Sequence, residues 1–166
     1  MANEIERKFL IKRMPDLSNF ESVIYERYYI YRSDIVEMRV QKKGEKFEIE
    51  RKEMVSGLSA EKTKLVISEP EFEKLKQLGS EAILREGFFI SSKPDVSIKI
   101  YHGKHEGLKK IEVEFGSEDE ARAFQIPDWY GAEITDSIVS RDSKLLDLSE
   151  EEFKNFLEEK NKDGIK

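Results

Sequence analysis

Hydrophobic and polar residues alternate along most of the chain. Glu4, Glu6 and Lys8 share one face of an extended segment, while Ile5, Phe9 and Ile11 share the other. The same period of two recurs over residues 36–41, 47–52, 62–65, 96–100 and 111–115, and less regularly over 25–31 and 83–90. Gly44, Gly57, Gly103 and Gly107 stand between these runs, where tight turns are needed. About eight strands are predicted, enough to close an antiparallel β-barrel.

Three short helices have readable starts. Ser68 with Glu71, Ser117 with Glu120, and Ser149 with Glu152 each have the spacing of a capping box, and Pro70 falls in a first turn, where its missing N–H costs nothing. Leu75 and Leu78 give the first helix an apolar stripe, as do Phe153, Phe156 and Leu157 the last. These helices are expected to pack outside the barrel. The reading is mainly β within an α+β class, as one domain over 1–160 with a frayed tail over 161–166.

Composition narrows the function. Of 166 residues 39% are charged and 38% hydrophobic, and the formal net charge is -6. No global basic field draws such a chain to nucleic acid or an anionic membrane, so neither is an expected partner. The absence of cysteine removes disulfides, thiolate metal sites and cysteine nucleophiles together. The N-terminal run contains no apolar signal core and no segment approaches membrane-spanning length, so a cytoplasmic setting is expected.

The decisive question is which strand face is inside. Small barrels usually fill with apolar side chains and expose their charges. Here the charged face is dense on strand after strand, and the apolar faces need the cover that amphipathic helices could give. Periodicity alone leaves both arrangements open.

Three stretches carry a resemblance that bears on this. Glu4-Ile5-Glu6-Arg7-Lys8 has the form ExExK. Residues 107–115 form a second acidic strand ending in Glu112-Val113-Glu114-Phe115. Trp129-Tyr130-Gly131-Ala132-Glu133-Ile134-Thr135 follows a late helix. Together they resemble the CYTH, or triphosphate tunnel, family, collinearly over residues 4–145. The resemblance implies an eight-stranded barrel with inward acidic and basic residues that hydrolyses a triphosphate with Mg²⁺ or Mn²⁺. It assigns Glu4, Glu6, Glu112 and Glu114 to the metal, with Glu133 as a further inward acid. Lys8, Arg39, Lys52 and Arg85 are assigned to the phosphates. Lys8, Glu6 and Glu114 are the implied catalytic group. Carboxylates at i and i+2 lie roughly 7 Å apart on one strand face, a spacing from which two strands can hold a hard cation through oxygen and water. Arg51 competes with Lys52, because a one-residue slip exchanges the faces.

The sequence also departs from that pattern. Gln41 stands where a second arginine is usual, Lys62 and Lys64 where acids are expected, Lys99 where an aspartate is usual, and Gly87 where a basic pair would end. Residues 139–141, Val-Ser-Arg, replace a late tyrosine-x-asparagine. Lys62 and Lys64 could face Glu48 and Glu50 as a cross-strand ion-pair ladder and join the substrate-binding set. Inorganic tripolyphosphate is the leading substrate. A tunnel that binds a phosphorylated ligand without turnover is the alternative, with adenylyl cyclase and thiamine triphosphatase less favoured. The protein is expected as a monomer or homodimer. His102 and His105 read as solvated turn residues, Arg27 with its neighbouring tyrosines as strand packing, and Trp129 as packing for the late helix.

Overall fold

Alternation at this density commits each strand to two chemically opposed faces, and closing the sheet decides where each face goes. The computed structural model, which describes residues 2–164, contains nine strands, all paired antiparallel. They are β1 (Ala2–Ile11), β2 (Ser22–Arg32), β3 (Val36–Lys43), β4 (Lys46–Met54), β5 (Ser59–Val66), β6 (Ile83–Ser91), β7 (Asp95–His102), β8 (Lys109–Phe115) and β9 (Tyr130–Glu133). The sheet order is β5-β4-β3-β2-β6-β7-β8-β1-β9, and pairing of β1 with β5 closes the first eight strands into a barrel. The ninth was not anticipated. It pairs with the C-terminal half of β1, at Phe9 and Ile11, beyond the stretch 2–5 that β5 covers.

The charged faces point inward and the apolar ones outward. Ile5, Phe9, Val96, Ile98, Ile111, Val113 and Phe115 form one outer core, under Ala121 of α2 (Glu118–Ala123) and Tyr130, with Trp129 against them. A second groups Val40 and Ile67 with Phe72 of α1 (Glu69–Leu75), whose ring lies 5.2 Å from that of Phe47 and 5.9 Å from that of Tyr28. The third closes one end of the barrel: Tyr29, Ile83, Tyr101 and Leu108 meet Ile134, Val139, Leu145 and Phe153. Ile134 directly follows β9, and the other three come from a 3₁₀ turn (Ile138–Ser140), α3 (Asp142–Leu145) and α4 (Glu150–Gly164). Helix α4 takes in residues 161–164 of the expected tail, and residues 165–166 lie outside the described ones.

Two of the three capping boxes form in full. Ser68 and Glu71 exchange side-chain bonds with each other's N–H at 3.3 and 2.8 Å, and Ser149 and Glu152 do so at 3.1 and 3.0 Å. At the third, Ser117 accepts from the Glu120 N–H, but the Glu120 carboxylate turns to the N–H of Gly116 instead. His105 is not a solvated turn residue. It is buried edge-on to Phe153, 5.2 Å between rings, because α4 folds back over the β7–β8 connection.

Helix α1 is held to the barrel chiefly by one fully buried ring. Phe72→Ala is expected to cost about 3–5 kcal/mol, read as a lowered urea midpoint at unchanged slope; a loss under about 1 kcal/mol would mean that the helix is docked by other contacts.

Candidate functional site

Every barrel strand contributes charge or polarity to one cavity of about 690 Å³. Glu4, Glu6 and Lys8 enter from β1, Arg39 and Gln41 from β3, Glu50 and Lys52 from β4, and Lys62 and Lys64 from β5. Arg85 comes from β6, Lys99 from β7, and Glu112 and Glu114 from β8. Ten of the expected site residues are therefore brought together: Glu4, Glu6, Lys8, Arg39, Lys52, Lys62, Lys64, Arg85, Glu112 and Glu114.

Glu133 is the exception. It lies exposed on the outside, paired with Arg7 at 2.6 Å and accepting from the Thr135 hydroxyl. The reason is topological: β9 adds to the free edge of β1, where Glu133 meets the outward-facing Arg7 rather than the lumen. The choice on β4 also resolves. Lys52 faces inward, while Arg51 pairs with Glu53 at 3.0 Å on the exterior.

Inside, carboxylates act as hubs. Glu4 lies 2.7 Å from Lys52 and 2.9 Å from Lys62; burial alone would raise its pKa, but the two ammonium groups outweigh burial and hold it well below the carboxylate range. Glu50 is bonded to Arg39 and to Gln41, with Lys64 at 3.6 Å and Lys62 at 3.8 Å, and is likewise held low against its burial. Glu112 gathers Arg85 at 3.1 Å, Lys99 at 3.8 Å and Lys8 at 3.9 Å. The expected ladder between β4 and β5 exists but is uneven: Lys64 reaches Glu48 only at 3.9 Å, and the shortest partner of Lys62 is Glu4, on β1. Lys62 therefore serves the closure of the barrel as much as the β4–β5 pair.

The deepest hub is a residue the sequence did not reveal. Asp142, at the start of α3, is buried and pairs with Arg27 at 3.0 Å, Lys110 at 3.2 Å and Arg85 at 3.4 Å, while Tyr101 donates its hydroxyl to it. Burial opposes ionisation there, and Arg85, Lys110 and Arg27 overcome it, keeping the carboxyl well below its usual range. Its neighbour Ser140 offers a carbonyl to Lys8 at 2.8 Å and to Lys110 at 3.3 Å. Arg141 reaches Glu37 at 2.9 Å. The segment thus bonds to β1, β2, β3, β6, β7 and β8 at once and seals that end of the lumen. Lys110 could have been found, since it continues the inward face of Glu112 and Glu114 by period two. Arg27 likewise falls between Tyr25 and Tyr29 on an inward face. Asp142 had no such signal, because a four-residue helix carries no period.

No family model matches the chain. It is 30% identical over 136 residues to an inorganic triphosphatase of Nitrosomonas europaea, an alignment spanning 80% of this chain and 89% of that protein. Among solved structures, the inorganic triphosphatase NE1496 superposes with a TM-score of 0.63 at 26% identity, over 87% of this chain and 95% of that one. The PH1012 protein from Pyrococcus horikoshii gives 0.54 at 19% identity over 90% and 93%, a likeness of fold.

Two outcomes follow from the deep hub. Asp142→Leu leaves three buried cations without their shared counter-ion and is expected to cost about 3–5 kcal/mol, measured by chemical denaturation. Burial pushes Lys110 down to about 8, only partly offset by Asp142. Between pH 8 and about 10 the unfolded chain therefore binds more protons than the folded one, and stability gains a rising contribution with pH. Lys110→Met should lose that contribution, and a wild-type and variant difference in Tm that stays constant over this window would contradict the assignment.

Proposed function

The chain belongs to the family of the Nitrosomonas europaea inorganic triphosphatase, and from that premise we propose that it hydrolyses a triphosphate inside the barrel, inorganic tripolyphosphate first. The observation that carries this reading is the lumen: ten basic side chains line a single cavity closed at one end by the segment around Asp142. A compact polyanion suits such a space. Unit charges about 4 Å apart attract by about 4 kcal/mol at an effective dielectric near 20. Arg39, Lys52, Lys62, Lys64 and Arg85 are the groups to grip the phosphates.

Mg²⁺ or Mn²⁺ is part of the proposal. Among the described residues no three carboxylates are drawn together as a ready ligand set. Mg²⁺, however, is commonly held by one or two carboxylates, with water and phosphate oxygens completing its shell. Glu6 and Glu114 fit that mode. They are direct cross-strand partners, and Glu114 has no cationic partner among the described residues. Burial, with Glu4 and Glu6 beside it, pushes the Glu114 carboxyl up, the field in which a cation is welcome. Glu4 and Glu112 stand as counter-ions, Glu4 to Lys52 and Lys62, Glu112 to Arg85, Lys99 and Lys8. When bound, the metal would polarise the phosphoryl group and offset its charge.

The protein's own groups then have distinct work. Lys8, tethered by the Ser140 carbonyl and lying 3.7 Å from Glu6, faces the reacting phosphates and offsets charge on the departing oxygen. Glu6 and Glu114 accept, so they can orient a water and take its proton as its oxygen bonds to the terminal phosphorus. The bridging P–O bond breaks, and orthophosphate and pyrophosphate result. A second reading has one observation in its favour: Lys62 and Lys99 already lie beside Glu4 and Glu112, which suits a tunnel that binds a phosphorylated ligand without turnover. Adenylyl cyclase and thiamine triphosphatase activities are less favoured, because tripolyphosphate needs nothing beyond the charged lumen. No helix of the described residues is long and apolar enough to cross a membrane.

Phosphate release from tripolyphosphate, pyrophosphate, ATP and thiamine triphosphate, each with Mg²⁺ and Mn²⁺, is the direct test. Tripolyphosphate should be turned over fastest, and Glu114→Gln should lower kcat by about 10²–10⁴-fold. A flat response across the panel, together with a rise in Tm on adding tripolyphosphate, would establish the binding-only reading instead.

A further inference from the structure

Six of the ten cations lining the lumen have a carboxylate within 3.4 Å; Lys99, like Lys8, Lys64 and Lys43, does not, and it is the most buried of these four. Lys52 and Lys62 lie within 3 Å of Glu4, and Arg27, Arg85 and Lys110 converge on Asp142. Lys99 is only 8% exposed, yet its ammonium has a hydroxyl at 3.2 Å, from Ser97, and its nearest carboxylate oxygen among the described residues, on Glu112, at 3.8 Å. An ammonium group has three donors to satisfy. What surrounds it is more positive charge.

That charge is organised by one ring. Tyr25 holds Arg85, Arg27, Lys99 and Lys43 at 4.9, 5.2, 5.2 and 5.6 Å from its centroid. An aromatic face attracts cations through its quadrupole without neutralising them. It therefore holds Lys99 and Lys43, neither of which has a carboxylate closer than 3.8 Å among the described residues, without cancelling their charge. Gly87 makes the arrangement possible. It is the direct cross-strand partner of Lys99, and a Cβ there would come within 2.9 Å of the Tyr25 ring and 3.3 Å of both Cδ and Nζ of Lys99. The lysine lies across bare backbone, where any other residue would displace it.

The position along the barrel gives this cluster its role. On β7, Tyr101 lies at the sealed end and Lys99 one inward step nearer the open end, while Lys43 ends β3 beside the turn at Gly44. We infer that Tyr25, Lys43, Gly87 and Lys99 form an outer anion subsite that takes the distal phosphoryl group of a linear polyphosphate, beyond the phosphates gripped around Arg39 and Arg85. The subsite rests on the triphosphate reading above and adds to it a basis for chain-length preference.

The test compares tripolyphosphate with pyrophosphate in wild type, Lys99→Met and Gly87→Ala, in Mg²⁺ buffer. The readouts are KM and kcat for tripolyphosphate and, independent of turnover, the concentration of each ligand giving half the maximal rise in Tm. Loss of one charge-assisted contact predicts that Lys99→Met weakens tripolyphosphate about tenfold with kcat nearly unchanged. Pyrophosphate, short enough to sit within the inner group, should weaken by less than about threefold. Gly87→Ala should reproduce both results with Lys99 still present, which separates the subsite from a general effect of lost charge. Unchanged tripolyphosphate affinity in Lys99→Met, or an equal loss for both ligands, overturns the subsite while leaving the triphosphate reading intact. A wild type that neither hydrolyses tripolyphosphate nor is stabilised by it overturns that reading and the subsite with it.

Discussion

A charge withdrawn from water must be met by another, and this requirement governs the whole barrel. Ions taken into a protein interior lose several kcal/mol of hydration each, and only close, well-bonded partners return it. The lumen satisfies the condition with shared hubs rather than isolated pairs. Asp142 serves three cations, Glu50 is contacted by Arg39, Lys62 and Lys64, and Glu4 bridges two lysines from β4 and β5. Because those partners sit on different strands, the pairing that keeps the charges solvated by one another is also what fixes the strands in register. The apolar cores are displaced outward as a consequence, into three clusters between the sheet and its helices.

The same economy shapes the site. A lumen of preformed ion pairs needs little rearrangement to hold a polyanion, because its cations already point inward and are held by bonds to one another's counter-ions. The carboxylates then divide by circumstance. Glu4 and Glu50 are surrounded by ammonium and guanidinium groups and are held firmly ionised, whereas Glu114 is pushed the other way by burial and by its acidic neighbours. Residues of one type, two positions apart on the same strand, acquire different surroundings: Glu112 is a counter-ion to three cations, and Glu114 has no ion pair among the described residues.

Period two made nearly all of the barrel legible. The inward placement of Glu4, Glu6, Lys8, Arg39, Lys52, Lys62, Lys64, Arg85, Glu112 and Glu114 follows from strands that alternate, once the charged face is known to be inside. Alternation could not decide that inversion, since a charged outer face reads identically; it took the resemblance to choose. The failures have physical causes. Glu133 lies on a strand that extends β1 beyond the closed ring, so its face is set by which edge it joins. Asp142 sits on one helical turn, too short for any period, and is identified only by what it touches. His105 is drawn inside by α4, a contact between segments nearly fifty residues apart.

The segment carrying Asp142 also limits passage through the barrel. By bonding to six strands it gives the barrel a floor at that end, so what enters from the other side meets a wall of bonded side chains. A long polymer could present an end to such a vessel but could not pass out through the floor at Asp142.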